Sequence, residues 1–241
     1  MLFDSQTGSQ RIEAAEQELQ MFCYLVSHDL AASFRHVTEF SRLLAADEDG
    51  YAQHVLNASV KCQQMLEQLL IFSRLQQKML TEVDLDASAL LQLPILQLTS
   101  QVRAAGGDVV AEPLGEVQAD VDLLLVAVTH LLDNALKFGR PGVAPSISIR
   151  AAHDASFWRM RVIDNGEGIE PAYREKAFQM FQRLHGDAHP GVGAGLAICR
   201  RIARRHGGEV KFLDTEQGCC VELSLPRRAA WTGPRSDLEL T

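Results

Sequence analysis

The sequence predicts two domains: a helical hairpin, then an α/β sandwich with a mixed, mainly antiparallel sheet. Three observations carry this. From Gln10 to Ala46 there is no Pro or Gly, and apolar side chains recur in steps of three and four. Composition changes near Thr81-Glu82-Val83-Asp84-Leu85, which marks a junction. Beyond it, alternating strand-like segments are interleaved with helical ones.

The first helical face runs through Leu19, Phe22, Val26, Leu30, Phe34 (or Ser33), Val37, Phe40 and Leu44. Asp47-Glu48-Asp49-Gly50 interrupts it as a short polar turn. A second stripe follows at Val55, Cys62, Met65, Leu69, Phe72 and Met79, widened by Leu66 and Leu70. Two such helices make an antiparallel hairpin that cannot bury its apolar surface within itself. Two copies would form a four-helix bundle, so residues 1–80 predict a homodimer.

Residues 81–226 read as the second domain. Ser88 to Ala105 is helical and apolar, stopped by Gly106-Gly107. Asp108-Val109-Val110 is a short strand. Asp120 to Phe138 and Gly195 to His206 are helical. Ser146–Arg150, Phe157–Ile163, Glu209–Leu213 and Cys219–Leu225 read as strands. Trp158, Met160 and Val162 alternate with Arg159 and Arg161, so the sheet has one polar face and helices on the other. Residues 227–241 are a polar tail.

The chain has 241 residues and a net charge of −8, which argues against a concentrated basic surface for nucleic acid. Its five cysteines are scattered without C-x-x-C spacing and read as reduced core residues rather than disulfides or zinc ligands. No apolar run approaches the ~20 residues of a bilayer span, and no signal peptide is visible, so the expected location is the cytoplasm.

Four stretches carry chemistry. Val26-Ser27-His28-Asp29-Leu30 lies within the first helix. At ~100° per residue, His28 stands about 200° from the buried stripe and points outward. That fits an ordinary exposed histidine, or a nucleophile whose second ring nitrogen is held by Asp29. Asp133-Asn134-Ala135-Leu136-Lys137-Phe138 falls on a helix. Asn134 can ligate a hard cation there and Lys137 can meet a phosphate. Asp164-Asn165-Gly166-Glu167-Gly168 ends a strand, where a carboxylate can accept a hydrogen bond from an exocyclic amine and two glycines let the backbone turn towards a planar ring. Gly191-Val192-Gly193-Ala194-Gly195-Leu196 opens a helix, whose N-terminus favours an anion. Phe178 to His185 precedes it and suits a mobile lid. Each stretch alone also fits ordinary surface or turn chemistry.

Their order is distinctive: His-Asp on a hairpin, N-x-x-K-F, D-x-G-x-G, F-x-x-F, then G-x-G-x-G-L. Over about residues 15–226 the chain resembles a bacterial sensor histidine kinase core. That core is a HisKA-type dimerisation and phosphotransfer domain followed by a Bergerat-fold (GHKL-type) ATPase domain. Details resemble the phytochrome-associated kinases: Ser27-His28-Asp29-Leu30 with Arg35, Phe72-Ser73-Arg74, Phe181-Gln182-Arg183-Leu184-His185-Gly186, and Gly195-Leu196-Ala197-Ile198.

The resemblance implies roles. His28 would be the phosphoacceptor and Asp29 the base that polarises it. Asn134, with His130, would hold Mg²⁺, and Lys137 would touch the phosphates of ATP. Asp164 would read the adenine amine, with Gly166 and Gly168 shaping the pocket. Phe181 and Arg183 fall in the lid motif, and Gly191, Gly193, Gly195 and Leu196 would frame lid and phosphates. The phosphoryl group would pass to an aspartate on a response-regulator receiver domain.

Four positions depart from the family pattern. Ala32 replaces a Thr or Asn that places a water for dephosphorylating the regulator, which predicts weak phosphatase activity. Ser33 replaces a proline, which predicts less kink. His130 replaces the first Asn of its box. Gln217-Gly218-Cys219-Cys220 lacks a hydroxyl, which predicts lower nucleotide affinity. Only about nine residues precede the first helix, so the expectation is input from a separate sensor protein or none. Two other functions remain open: a phosphotransfer scaffold with a degenerate ATPase domain, and another Bergerat-fold ATPase such as a chaperone or topoisomerase type.

Overall fold

The structure is a computed structural model. It describes residues 34, 35, 37–39, 41, 42, 51–77, 79–152, 154–183 and 189–227. Backbone contacts divide the chain into two units, Met1–Met79 with Glu175–Ile198, and Leu80–Arg174 with Cys199–Thr241.

In the first unit the described positions between 34 and 42 are helical, and Thr38 donates its hydroxyl to the Phe34 carbonyl at 2.8 Å. Helix α1 spans Tyr51–Gln77. Its predicted stripe is half-buried at Cys62, Met65, Leu66, Leu69, Leu70 and Phe72. Val55 and Met79 depart from the expectation, being 50% and 87% exposed. One lies in the first turns of α1 and the other lies past its end, where no helical face remains to hold it. His54 is exposed, as expected.

In the second unit the junction proves to be strand β1, Glu82–Asp86, paired antiparallel with β3, Glu116–Asp120. The acidic composition concealed both strands, since their partners are non-local. Asp86 then accepts the Ser88 N–H at 2.9 Å and caps a 3₁₀ turn over Ala87–Leu91. The α-helix expected from Ser88 therefore starts later, as α2, Gln92–Ala104. Pro94 sits in its first turn, where a missing N–H costs nothing.

Helix α3, Val121–Lys137, is the spine of this unit. Asp120 caps it by accepting the Leu123 N–H at 3.2 Å. Its buried side runs through Leu124, Val128, Leu131, Leu132 and Ala135. It packs on strands β4, Ser146–Ala151, and β5, Phe157–Asp164.

The main sheet adds β2, Asp108–Ala111, β6, Glu209–Leu213, and β7, Cys219–Pro226. Its order is β2-β4-β5-β7-β6. Only β2 and β4 run parallel; the other pairs are antiparallel, which makes the sheet mixed as predicted. Trp158 pairs with Leu225, Met160 with Leu223 and Val162 with Val221, all buried on one face. The Trp158 Nε1–H donates to the Leu114 carbonyl at 2.8 Å. Arg161 and Glu222 pair on the other face. Helix α4, Arg174–Ala177, follows a 3₁₀ turn at Pro171–Tyr173, and helix α5 spans Gly195–Arg205. The Cys199 thiol at the second turn of α5 donates to the Ala127 carbonyl of α3 at 3.5 Å.

Past α5, His206 is buried and ties three elements together. Its Nε2 accepts the Asp120 N–H at 3.0 Å, and its Nδ1 lies 2.8 Å from the Ile202 carbonyl. These partners require a neutral ring with the proton on Nδ1. The Asp120 carboxylate also accepts the Thr81 N–H at 3.2 Å, so β1, β3, α3 and α5 meet at one knot. No helix among the described residues is long and apolar enough to cross a membrane.

Candidate functional site

The second unit brings two of the predicted stretches together. Asp164 is the last residue of β5, half-buried, and burial pushes its carboxyl up to about 6 against two backbone donors. Both donors meet the same oxygen: Oδ1 accepts Gly166 N–H at 2.9 Å and Cys219 N–H at 3.1 Å. That leaves Oδ2 as the acceptor for an outside donor.

The turn after Asp164 is stitched to the end of α3. The Phe138 carbonyl accepts the Glu167 N–H at 2.9 Å, and Arg140 Nε donates to the Gly166 carbonyl at 2.9 Å. Asn165 bonds Ser146 N–H at 3.0 Å and the Ala144 carbonyl at 2.9 Å, closing the loop before β4. At Gly166 and Gly168, which the sequence expectation placed around a planar ligand, the turn also packs tightly against the protein's own backbone. A Cβ at Gly166 would lie 2.3 Å from the Phe138 carbonyl oxygen, and one at Gly168 2.8 Å from that of Gly218. Gly168 also has φ +76.

Helix α3 places His130, Asn134 and Lys137 on its half-buried polar side. Burial holds the His130 imidazole below its ordinary value, with Asp133 opposing; burial raises Asp133, with His130 and Lys137 opposing. The Lys137 ammonium lies 5.4 Å from the Phe138 ring centroid, a cation–π contact at the helix end. Among the described residues no three His, Cys, Asp or Glu side chains gather to hold an ion alone. The donors present, one amide oxygen and one imidazole nitrogen a helical turn apart, fit a dication that arrives already ligated by phosphate.

Cys219 and Cys220 begin β7 as free thiols. Burial, then the neighbouring Asp164 charge, pushes the Cys219 thiol up to about 12, so it stays protonated and inert.

The glycine-rich segment belongs to the other unit. Gly191 and Gly193 have φ +107 and +75, and Gly195 opens α5 with Leu196 behind it. A Cβ at Gly193 would lie 2.5 Å from the Gln182 carbonyl oxygen. Phe181, at φ +62, donates its N–H to the Gly193 carbonyl at 2.9 Å, and Arg183 donates to the His189 carbonyl at 2.5 Å. Phe181 is thus tied to Gly193, and Arg183 to His189. His28, Asp29, Ala32 and Ser33 lie outside the described residues.

Sequence reasoning missed Arg140 and Phe138 as supports of the turn, and the Asp120–His206 knot. Only Arg140-Pro141-Gly142 gave a local signal, as a turn beside N-x-x-K-F.

A capped helix with Asn134 and Lys137, packed on a sheet that ends in a half-buried Asp164, defines an α/β domain with a candidate ligand site. Residues 119–229 match the model of the histidine kinase-, DNA gyrase B- and HSP90-like ATPases. The chain's relatives include phytochromes and histidine kinases. Cyanobacterial phytochrome A of Nostoc sp. is 29% identical over 208 residues, covering 83% of this chain and 27% of the relative. The methanogenesis regulatory histidine kinase FilI of Methanothrix harundinacea is 29% identical over 226 residues, 89% of this chain and 25% of its own length. The chain thus spans about a quarter of these relatives. Among solved structures, histidine kinase ThkA in complex with response regulator protein TrrA shares the fold with TM-score 0.65 at 18% identity, covering 91% of this chain and 66% of that one.

Proposed function

We propose that this chain is an ATP-dependent protein-histidine kinase that phosphorylates its own His28 and passes the phosphoryl group to a receiver-domain aspartate in two-component signalling. The observation that carries the reading is Asp164: a half-buried carboxylate with one oxygen committed to Gly166 and Cys219 and the other open to an amine. An adenine amine fits that acceptor. Asn134 and His130 then hold the dication, which neutralises phosphate charge when bound, and Lys137 leaves the Phe138 ring to meet the phosphates. Gly191, Gly193 and Gly195 give backbone N–H groups ahead of α5.

Asp29 orients the His28 imidazole so that a ring nitrogen attacks the terminal phosphorus in line while the nucleoside diphosphate leaves. The half-buried stripe of α1 supports a homodimeric bundle as the platform. Ala32 cannot place a water, so removal of phosphate from the receiver is slow by that route.

Labelling with γ-phosphate-labelled ATP tests the reading. Acid-labile label is expected on the wild type and absent from His28→Gln and Asp164→Asn. Label that survives in the His28 variant would overturn it. Labelling of His28 only when a second kinase is supplied, with no nucleotide bound by the chain, would favour the scaffold reading, whose arguments are His130 and the thiol at Cys220 in place of the residues of the family pattern.

A further inference from the structure

His130 and Asn134 are four residues apart on α3 and both half-buried. Such pairs have Cβ atoms about 6 Å apart on one helix face, so a single ion can meet both side chains. Asp133 flanks His130 on the side away from Asn134, at ~100° per residue, and is exposed. The two inner donors differ in kind. The Asn134 amide oxygen suits Mg²⁺ and Mn²⁺ alike. The His130 imidazole nitrogen binds first-row transition ions, Mn²⁺ the most weakly among them, better than it binds Mg²⁺, and Mn²⁺ shares with Mg²⁺ the preference for the phosphate oxygens. No group of three acidic, histidine or cysteine side chains among the described residues could hold the ion without the nucleotide. The phosphates therefore supply oxygen ligands, and the protein's distinctive contribution is one nitrogen.

We propose that this site selects the transition-metal complex of its nucleotide, with Mn²⁺ as the representative dication, over the Mg²⁺ complex, and that His130 sets the preference. The inference rests on the nucleotide-binding reading above. An imidazole that only hydrogen-bonds to a phosphate would give no metal selectivity, so the two roles separate by measurement.

The test uses the full chain with β,γ-methylene ATP, which has no bridging nitrogen, and saturating Mn²⁺ or Mg²⁺. Pulsed EPR of the Mn²⁺ complex is expected to show nitrogen coupling that changes from ¹⁴N to ¹⁵N when only the histidines are isotopically labelled. Equilibrium titration is expected to give affinity at least about tenfold tighter with Mn²⁺ than with Mg²⁺. His130→Asn, checked for an unchanged thermal melt, is expected to bring that ratio towards one, and His130→Gln to do the same. Bound Mn²⁺ without a histidine-nitrogen signal, or a ratio unchanged in both variants, would overturn the proposal. Nucleotide that binds with neither ion would instead overturn the nucleotide-site reading, and this inference with it.

Discussion

Asp164 and Cys219 face each other across β5 and β7, and the Cys219 N–H donates to Asp164 Oδ1 at 3.1 Å. The strand pair thereby orients the carboxylate, which needs no side chain from β7 to hold it. The bond is made by the Cys219 backbone N–H, so the side chains of Cys219 and Cys220 do not enter it.

Asp164→Asn therefore keeps the fold and loses the site. An asparagine Oδ1 still accepts Gly166 and Cys219, while its amino group faces the ligand with a donor in place of an acceptor. A hydrogen bond to a charged group contributes about 1.5–3 kcal/mol, so nucleotide affinity falls by roughly ten- to a hundredfold. Titration with a fluorescent nucleotide checks this, with circular dichroism as the control for folding.

The same carboxyl makes binding depend on pH. Its folded value, about 6, lies above the ordinary 3.8. Between those values the folded protein holds a proton that the unfolded chain has released. Stability from this group therefore falls as pH rises through the window, and the full penalty is present above about 6. Nucleotide affinity runs the other way, because the ionised carboxylate accepts the amine: it weakens as pH drops through about 6. Wild type and Asp164→Asn, compared in denaturant melts and nucleotide titrations across this range, are expected to differ in both slopes. Parallel curves would refute the assignment.

Much of this domain was legible in sequence because its signals are local. The alternation of Trp158, Met160 and Val162 with Arg159 and Arg161 reads directly as a strand with one buried face, and β5 follows it. Asp164, Asn134 and Lys137 stand where their motifs put them. Strands β1 and β3 were not legible: each is five residues long, and they pair across intervening helix and strand, so neither carries its partner's information. The reason for Gly166 was also invisible, since it is the Phe138 carbonyl, brought close by the end of a helix distant in sequence.

Gly166→Ala follows from that contact. The new Cβ would lie 2.3 Å from the Phe138 oxygen and 2.9 Å from Asp164 Oδ1, and neither can move without disturbing the turn. Overpacking of this kind costs about 1–3 kcal/mol. Because the turn carries the carboxylate, the variant is expected to lose both melting temperature and nucleotide affinity, which a melt and a titration read separately.

Glu222 offers the opposite case, a buried charge away from the site. It is 2% exposed and meets Arg161 Nε at 2.8 Å and Lys211 Nζ at 3.4 Å. Arg161 lies three residues before Asp164 on β5, so the cluster occupies the other face of the sheet. Glu222→Gln leaves the cations without their counter-charge. Both reach water, which lowers the cost to about 1–3 kcal/mol. Denaturant unfolding is expected to show this loss, and nucleotide affinity to stay at the wild-type value.

The His206 knot tests whether the fold, and not only the site residues, sets nucleotide binding. His206 Nε2 accepts the N–H of Asp120, and Asp120 in turn caps α3, whose far end carries His130, Asn134 and Lys137. His206→Leu matches the burial but removes the acceptor, stranding a buried N–H at a cost of about 1–3 kcal/mol. His206→Gln restores an acceptor oxygen and is expected to recover part of the loss. If α3 moves as a rigid rod from its cap, the leucine variant also loses nucleotide affinity in proportion to its destabilisation. If the helix is held by its packing on β4 and β5, the melt shifts and the affinity does not. The buried side of α3, continuous from Leu123 to Ala135, predicts the second outcome, and melts read alongside nucleotide titrations of the same two variants decide it.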